Sequence, residues 1–358
     1  MTEAPTDQPT AKGIAISVGL GCLFMLLIAE VVVRVVAPQN LSMAWMTYGP
    51  HGLVLNRADV EAVHQLGERK VVYRINTLHM RGGAVREDGS KVLIIGDSFS
   101  FGWLVDEMDS IAGLLQKDAD RDLGLGRVQF LNAGTGGWGT DSYLAYIETF
   151  GTAIAPDAVL ILVNAHDLPR SLQNGLYTLK GDGSMDIMVH DKSSWRTTII
   201  SVLRGIPGYQ WMLGHSHLVQ FVRTEIIAFL TPSGADDAEG RAEPSDPVAV
   251  MELRAAERDL GWALFHKLKQ WGDGRGIPIL AAALYWPGWD SDREAEIMSA
   301  TGIPFLDLNT QLRPVISHRL DDYKIHGDAH LNESANILIV DRLWPWLRPH
   351  LDAAKSRP

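Results

Sequence analysis

One serine in this chain follows a short hydrophobic run in a way that could expose it for chemistry. Residues 92–95 are Val-Leu-Ile-Ile, and Gly96, Asp97 and Ser98 come directly after them. A run of large aliphatic residues that ends at a glycine is typical of a buried strand in a parallel sheet. Open α/β sheets bind ligands beyond the carboxyl ends of their strands, so Ser98 would stand at a reactive edge. The alternative is an ordinary turn in which Asp97 or Ser98 caps the next helix.

An aspartate and a histidine near the C-terminus could activate this serine. Asp328 and His330 are separated by one residue in the segment Ile-His-Gly-Asp-Ala-His-Leu-Asn, 325–332. A serine hydroxyl is a weak nucleophile at neutral pH and needs a nearby base, which a third group holds in the correct tautomer. Asp328 and His330 would supply these two groups. Alternatively, Asp328 begins the final helix and His330 is a polar residue of its first turn.

Taken together, Gly96-Asp97-Ser98 and the Asp328-x-His330 pair resemble the motifs of the SGNH/GDSL hydrolase superfamily, over roughly Lys91 to the C-terminus. The resemblance implies a flavodoxin-like three-layer α/β/α sandwich with a parallel sheet, and an activity as esterase, lipase or carbohydrate deacetylase. It implies that Ser98 is the nucleophile and an oxyanion-hole donor through its own N–H, that His330 is the general base, and that Asp328 orients it. Asp-x-His-Leu-Asn is similar to the membrane-linked and polysaccharide-modifying branches, which points to acylated carbohydrate.

Two further motif blocks concern the oxyanion hole. The run 132–139, Asn-Ala-Gly-Thr-Gly-Gly-Trp-Gly, fits the second block, and the resemblance makes Gly134 the expected donor, because a Cβ would obstruct close approach. The third block, usually Gly-x-Asn-Asp, reads Asn-Ala-His-Asp at 164–167, so His166 replaces the usual asparagine. A neutral imidazole still donates one N–H. We expect His166, or Asn164 turned inward, to complete the hole; otherwise His166 is only a strand-end residue bonded to the backbone.

Four tryptophans follow predicted strands, in loops that should surround Ser98. Indole faces at the mouth of a site stack on sugar rings or acyl chains. We therefore predict that at least one of the four contacts substrate, the alternative for each being ordinary core packing. They are Trp103, Trp138, Trp286 and Trp289.

The N-terminal segment 13–36 has the length and composition of a transmembrane anchor. Residues 13–29 carry no charge, and the apolar pattern continues past Glu30 and Arg34. A helix of about 24 residues spans ~36 Å, which is enough for a hydrocarbon core of about 30 Å. Glu30 and Arg34 are spaced to pair across one helical turn near the end of this helix.

A cleaved signal peptide is the competing interpretation of this segment, because Val35-Val36-Ala37 is weakly similar to a cleavage site. The apolar stretch is longer than a signal peptide needs, and Pro38 follows the potential cut. We therefore predict an uncleaved single pass through a bacterial inner membrane. The short tail 1–12 would lie inside, and the catalytic domain would face the periplasm or the exterior.

Strands and helices alternate after the anchor. Residues 37–88 are predicted to be a connector with an edge strand at 71–76, and 89–355 to be the hydrolase domain. Alternation from Lys91 onwards predicts an α/β fold with a doubly wound parallel sheet. Predicted strands are 92–95, 127–132, 158–163, 277–285 and 304–308, and predicted helices are 109–123, 142–150 and 249–271.

An insertion at about 170–248 interrupts this alternation and is too long for an ordinary connection. Residues 197–203 and 217–230 have helical apolar spacing, while 231–246 is rich in Pro, Gly, Ala and acidic residues and is typical of a linker. The insertion could be a lid or an acceptor-binding cap, or a surface addition without function.

Composition limits the partners. The chain carries 32 Lys and Arg against 43 Asp and Glu, a net charge of −11, which argues against nucleic acid. The single Cys22 lies in the predicted anchor, so a disulfide framework is excluded. Pairs such as His215-x-His217 lack a third ligand in register, so we predict no metal and no cofactor. The residues do not identify which proteins, if any, the chain binds, and protein partners stay open.

These features predict a membrane-anchored serine esterase that removes O-acyl groups, above all acetyl, from an envelope or extracellular glycan or from a small ester. Two alternatives stay open. The same acyl-enzyme could transfer its acyl group to a sugar hydroxyl, which would make the protein a polysaccharide O-acetyltransferase. The domain could also be a catalytically weak glycan-binding module, an interpretation that the histidine at position 166 favours.

Overall fold

The computed structural model describes residues 10–188, 202–203, 205–230 and 246–355, and the chain begins with a long apolar helix, α1 (Ala11–Val36). Thr10 caps this helix by accepting a hydrogen bond from the Gly13 N–H. A window of 18 residues has a mean hydropathy of 2.5 and is not buried at all. The helix is long and apolar enough to cross a membrane, and a signal sequence would meet the same criteria. The predicted pair of Glu30 and Arg34 is present at 2.9 Å.

Residues 37–88 form a folded unit rather than a plain connector. A three-stranded antiparallel sheet has the order β1-β4-β5, so the predicted edge strand is β5, and β2 pairs with β3. Leu53, Leu55 and Met80 belong to the core of the following domain, so the predicted boundary at residue 88 does not separate two packing units. The strands are β1 (Leu41–Ser42), β2 (Met46–Tyr48), β3 (Val54–Asn56), β4 (Val60–Leu66) and β5 (Arg69–Ile75).

The rest of the described chain alternates strands with helices. The strands are β6 (Ser90–Gly96), β7 (Val128–Asn132), β8 (Ala158–Val163), β9 (Tyr177–Leu179), β10 (Met185–Ile187), β11 (Ile279–Ala283) and β12 (Phe305–Asp307). The helices are α2 (Ser98–Phe101), α3 (Ile111–Leu123), α4 (Thr140–Ile154), α5 (Asp167–Asn174), α6 (Tyr209–Leu213), α7 (His217–Leu230), α8 (Pro247–Asp273), α9 (Asp292–Thr301), α10 (Leu308–Ile316), α11 (Leu320–Tyr323) and α12 (Glu333–Lys355).

Five of these strands form a parallel sheet in the order β12-β11-β8-β6-β7. This is the flavodoxin-like arrangement, which confirms the predicted α/β fold. The chain passes from β6 to β7 on one side of β6 and then returns to β8 on its other side. The direction of the strand order therefore reverses between β6 and β8. Ligands bind at such a switch point, beyond the carboxyl ends of the two strands. Ser98 follows β6 at this edge, and Asn164 follows β8.

The strands are apolar throughout because helices cover both faces of the sheet. Leu93 and Ile95 lie in one core with α4, α5 and α8, whereas Val92 and Ile94 lie in the other core with α3, α10 and α12. This alternation follows the two-residue period of a strand. Each such side chain contributes about 1.5–3 kcal/mol when it is fully buried, so the sheet holds the edge at Ser98 rigidly.

The predicted helices and strands match the observed elements closely, apart from their ends. The insertion contains the hairpin β9–β10 and helices α6 and α7, and its predicted helix 217–230 is α7. Most of the predicted helix 197–203 and of the predicted linker 231–246 lies outside the described residues. The predicted strand 277–285 is shorter at both ends, as β11.

Candidate active site

A sharp turn from β6 into α2 presents Ser98. The Asp97 carboxylate caps the helix by accepting a hydrogen bond from the Phe99 N–H at 2.9 Å. A Cβ at Gly96 would lie 1.9 Å from Ser100 Oγ and 2.8 Å from the Leu162 carbonyl, so only glycine fits where the strand meets the helix. Ser98 is the first residue of α2, and its N–H has no intrahelical acceptor.

Ser98, His330 and Asp328 form one chain of hydrogen bonds. Ser98 Oγ lies 2.7 Å from His330 Nε2, and His330 Nδ1 lies 2.6 Å from Asp328 Oδ1. A carboxylate only accepts, so His330 Nδ1 carries the proton and His330 Nε2 accepts from the serine hydroxyl. Ser98 is 6% exposed, and the side chains of His330 and Asp328 are 15% and 18% exposed. This arrangement can generate a serine nucleophile.

A tight loop holds the aspartate and the histidine. The Ile325 N–H donates to the His330 carbonyl at 2.8 Å, and the Asp328 N–H donates to the Ile325 carbonyl at 3.0 Å. Asn332 caps α12 by accepting from the Ala335 N–H at 3.2 Å. The final helix begins at Glu333, so the alternative in which Asp328 begins this helix does not apply.

Hydrogen bonds keep Asp328 ionised. Burial by itself would raise the pKa of its carboxyl group, but donors from the His330 ring and backbone and from the Trp103 indole outweigh burial. The pKa of Asp328 therefore lies below its ordinary value. An ionised carboxylate at this position can stabilise the imidazolium that forms when His330 accepts a proton.

Trp103 supports the His330 ring, and aromatic residues of the N-terminal unit pack behind Trp103. Trp103 stacks on the His330 ring, with centroids 5.3 Å apart and an interplanar angle of 21°, and its edge meets His64 at 4.8 Å. The Leu104 N–H donates to the Tyr73 hydroxyl at 2.7 Å, and this hydroxyl lies 2.9 Å from His64 Nδ1. Burial, with a smaller contribution from the charge of His330, lowers the pKa of His64 to about 4, so its ring is neutral at pH 7.

Two arginines of the N-terminal unit tie it to the site, and sequence reasoning missed both. Arg69 makes a two-pronged ion pair with Glu333, the first residue of α12. Arg81 is buried and donates to the carbonyls of Phe101 at 2.8 Å and Gly102 and Val105 at 2.6 Å, just beyond α2. These contacts join residues that are 20 or more positions apart in the chain, so no local sequence pattern could reveal them.

Gly134, the oxyanion donor that the sequence predicts, has its N–H engaged inside its own loop. Its N–H donates to the Asn132 side chain at 3.0 Å. A Cβ there would lie 2.4 Å from the Phe101 backbone nitrogen, so glycine is required for close packing against α2. Gly136 and Gly137 follow in the same loop and are more exposed. A Cβ on Gly136 would lie 3.7 Å from the Trp103 ring, so this part of the loop borders the site.

The third block lies at the end of β8, where the sequence predicted it. Asn164 is buried, and its side-chain oxygen lies 3.4 Å from the His166 N–H. Its side-chain nitrogen has no hydrogen-bond partner among the described residues. The His166 ring meets Trp286 edge to face at 4.6 Å, Trp286 meets Phe99 at 5.6 Å, and Phe99 lies 4.7 Å from His330. A row of rings thus connects His166 with the catalytic histidine candidate.

A buried ion pair joins the start of α2 to α5 at the switch point. Asp97 Oδ2 lies 3.0 Å from Arg170 Nη1, and both side chains are almost inaccessible. Burial and the charge of Asp97 raise the pKa of the neighbouring Asp167 carboxyl group well above its ordinary value. With Asp167 protonated, one carboxylate and the Arg170 guanidinium remain charged. They balance each other, so no buried charge is left unpaired.

The four tryptophans have different surroundings. Trp138 is 1% exposed and donates to the Val54 carbonyl, which is the core packing that the sequence left open for each of the four. One face of the Trp103 ring stacks on His330. Trp289 is partly buried against the core on the α4 side. Trp286, between His166 and Phe99, is the one whose ring contacts place it beside the predicted oxyanion residues.

Groups of three or more His, Cys, Asp or Glu side chains that could hold a metal ion are absent from the described part of the chain. The hydrogen-bond chain from Ser98 to Asp328 requires no metal for nucleophilic chemistry.

No protein-family model matches this chain, and no curated protein matches it. Its fold is similar to solved structures of esterases. One is the psychrotrophic esterase EstA from Pseudoalteromonas sp., inhibited by monoethylphosphonate, with 14% identity over 74% of this chain and 99% of that chain and a TM-score of 0.40. Another is a catalytic mutant of the acetylxylan esterase Axe2 from Geobacillus stearothermophilus, with 13% identity over 72% and 94% of the chains and a TM-score of 0.37.

A third is a two-domain esterase active on acetylated mannans, with 12% identity, 75% of this chain covered and a TM-score of 0.41. This chain spans 50% of that esterase. At such low identities and TM-scores the function has to be argued from the geometry of the site itself.

Proposed function

We propose that this protein is a serine hydrolase of the SGNH type that cleaves carboxylic esters, with Ser98 as nucleophile, His330 as general base and Asp328 as the carboxylate that orients it. The observation that carries the proposal is the unbroken hydrogen-bond chain, 2.7 Å from Ser98 to His330 and 2.6 Å from His330 to Asp328. It joins a sheet edge and a loop more than 200 residues apart.

The reaction proceeds in two steps. Ser98 Oγ bonds to the acyl carbon while His330 Nε2 takes the serine proton, and His330 then returns this proton to the leaving alcohol oxygen as the ester bond breaks. In the second step His330 takes a proton from water, whose oxygen bonds to the acyl carbon. Breaking of the bond to Ser98 Oγ releases the acid, and the proton returns to the serine.

The developing oxyanion needs donors at the edge of the sheet. We assign one to the Ser98 N–H, which has no acceptor within α2, and one to the backbone of Gly136–Gly137 in place of Gly134. The third comes from His166 or Asn164, both of which lie at the end of β8. Loss of one such donor typically lowers kcat by about 100 to 1,000-fold.

The proposed substrate is an O-acyl ester, above all an acetyl ester, on an envelope or extracellular glycan. The Asp-x-His-Leu-Asn resemblance supports this choice. Trp286 supports it as well, because its partly exposed ring beside Phe99 offers a surface on which a sugar ring can stack. A strongly acidic chain also suits a neutral substrate better than an anionic one.

We propose that α1 is a retained anchor in a bacterial inner membrane, with the catalytic domain on the outer side. Glu30 accepts hydrogen bonds from Ser216 and Leu218, and Arg34 donates to the His215 carbonyl. Cleavage after α1 would remove these contacts. They support a helix that belongs to the mature fold.

Kinetics of the full chain in detergent micelles test this function. With p-nitrophenyl acetate and an acetylated xylan as substrates, we expect Ser98→Ala to abolish turnover and Asp328→Asn to lower kcat by about 10⁴-fold, because asparagine favours the wrong tautomer of His330. The control is Asp321→Asn, whose side chain is 95% exposed, and it should keep wild-type rates. Turnover that persists in Ser98→Ala would contradict the proposal.

A further inference from the structure

Helix α7 of the insertion is fastened to the end of α1 by charged and polar groups. The Glu30 carboxylate accepts hydrogen bonds from Ser216 Oγ at 2.7 Å, from the His217 N–H at 3.1 Å and from the Leu218 N–H at 2.9 Å. A carboxylate at a helix N-terminus satisfies donors that have no intrahelical partner and interacts favourably with the helix dipole. Glu30 therefore acts as the cap of a helix almost 190 residues away in the chain.

Further contacts fix this junction from both sides. Arg34 Nη2 donates to the His215 carbonyl at 3.0 Å, and the Gln39 N–H donates to His217 Nδ1 at 2.8 Å. On the other side, buried Gln220 donates to the Ser42 carbonyl of β1 and to the Leu213 carbonyl of α6. The pair α6–α7 is therefore a fixed neighbour of the apolar helix.

Apolar side chains next to this junction are exposed. Trp211 in α6 is 62% exposed, and Val222 and Ile226, four residues apart on one face of α7, are 46% and 52% exposed. The neighbouring side chains of α1 are exposed as well, because none of its apolar window is buried. Exposed apolar side chains are thus present both on α1 and on the pair α6–α7 that is fastened to its end.

We propose that α6–α7 is a second membrane contact, which lies in the lipid interface beside α1 with Trp211, Val222 and Ile226 facing the bilayer. This inference rests on the proposed anchoring by α1. A bilayer fits this surface because the adjoining helix carries no charge over residues 13–29, and because tryptophan favours the membrane interface. The net charge of −11 makes electrostatic attraction to anionic lipid an unsuitable alternative, so the contact is hydrophobic.

One consequence concerns the site. Gln220 links α7 to β1, and β1 pairs with β4, which carries His64 behind the triad. A bilayer contact at α7 would hold the N-terminal unit, and with it the site, at the membrane surface. The enzyme would then meet substrates close to the lipid headgroups.

Fluorescence quenching in nanodiscs tests the contact with the full chain. In a Cys22→Ser background, one fluorescent label per variant is attached at Val222→Cys, Ile226→Cys or Val18→Cys. Nitroxide lipids in the phosphatidylcholine discs serve as quenchers. The control is Leu125→Cys, which is 87% exposed in the turn after α3. Variants that keep the wild-type unfolding midpoint are compared, and two positions on α7 guard against the failure of one.

We expect loss of emission at Val18 with nitroxides deep in the acyl region, loss of emission at Val222 and Ile226 with nitroxides at the headgroups, and no loss at Leu125. Added salt should leave the quenching unchanged. Quenching at Val18 alone would overturn the second membrane contact but leave the anchor in place. Blue-shifted but unquenched emission at Ile226 would also overturn it, because it would indicate that a second copy of the chain covers α7. Absence of quenching at Val18 would instead overturn the anchor.

Discussion

Trp103 touches both residues that we propose to activate Ser98. Its ring stacks on His330, and its indole helps to keep the pKa of Asp328 low. The sequence placed Trp103 near the site as one of four tryptophans, at least one of which was predicted to contact substrate. That role could not be separated from support of His330 by sequence alone, because a position after a strand does not say which face of a ring is occupied.

Replacement of Trp103 by phenylalanine separates these two roles. Trp103→Phe keeps an aromatic ring over His330 but removes the donor toward Asp328, so we expect kcat to fall by about tenfold with KM unchanged, given the usual worth of a hydrogen bond to a charged group. The matched control is Trp262→Phe, because Trp262 also stacks on a histidine, His266, but lies on α8 and is 43% exposed. A rise in KM with unchanged kcat would restore the substrate role.

His64 predicts a pH effect on stability. Its pKa is about 4 in the folded protein and about 6.5 when unfolded, so between these values the unfolded chain binds more protons. The stabilising contribution of neutral His64 is present above pH 6.5 and is lost as the pH falls toward 4. The effect of pH on the contribution of Asp141 has the opposite sign. Burial raises the pKa of Asp141 to about 6, so its contribution to stability is lost as the pH rises.

A comparison with His64→Asn isolates the histidine, because asparagine keeps an acceptor for Tyr73 but does not titrate. We expect the free energy of unfolding to fall between pH 7.5 and 4.5 by about 2–3 kcal/mol more in the wild type than in His64→Asn. Urea unfolding followed by tryptophan fluorescence measures this difference, and Asp141 cancels from it. Equal pH dependence in the two proteins would refute the assignment.

At the scale of elements, the site residues that stand in short local motifs could be predicted from the sequence. Ser98, Asp328 and His330 could be predicted because each stands in a short motif beside a recognisable strand or loop. Sequence alone could not single out one donor in the loop 132–139, because the loop holds several glycines and only the fold shows that Asn132 engages the Gly134 N–H. The N-terminal unit was mistaken for a connector because its strands are short and its contacts, such as those of Arg81, are distant in sequence.

This unit should be inseparable from the hydrolase domain. Leu53, Leu55 and Met80 are buried in the main core, and Arg81 holds the end of α2. Loss of even one such side chain costs about 2–5 kcal/mol, against a total stability of about 5–15 kcal/mol. We expect a chain that begins at residue 89 to show no cooperative unfolding by circular dichroism, and one that begins at 39 to hydrolyse p-nitrophenyl acetate. Activity in the shorter chain would contradict this.

At the scale of the whole molecule, the N-terminal unit, the parallel sheet and the C-terminal loop meet at one edge. The sheet presents Ser98 and the C-terminal loop brings His330. Trp103 stacks on His330, and His64 of the N-terminal unit packs against Trp103. The fold class followed from alternating hydrophobic runs, because parallel sheets covered on both faces need strands that are apolar throughout. The junction of Glu30 with α7 could not be foreseen, because it joins residues almost 190 positions apart.

The most direct test of the central claim is covalent labelling of the full chain in detergent with a fluorophosphonate, followed by peptide mass mapping. An activated serine displaces fluoride and forms a stable bond to phosphorus. The matched control is Ser100→Ala, two residues away, because the Ser100 hydroxyl is buried without a partner among the described residues. We predict one adduct on Ser98 in the wild type and in Ser100→Ala, and none in Ser98→Ala. A folded wild type that stays unlabelled, or that is labelled at another serine, would contradict the account.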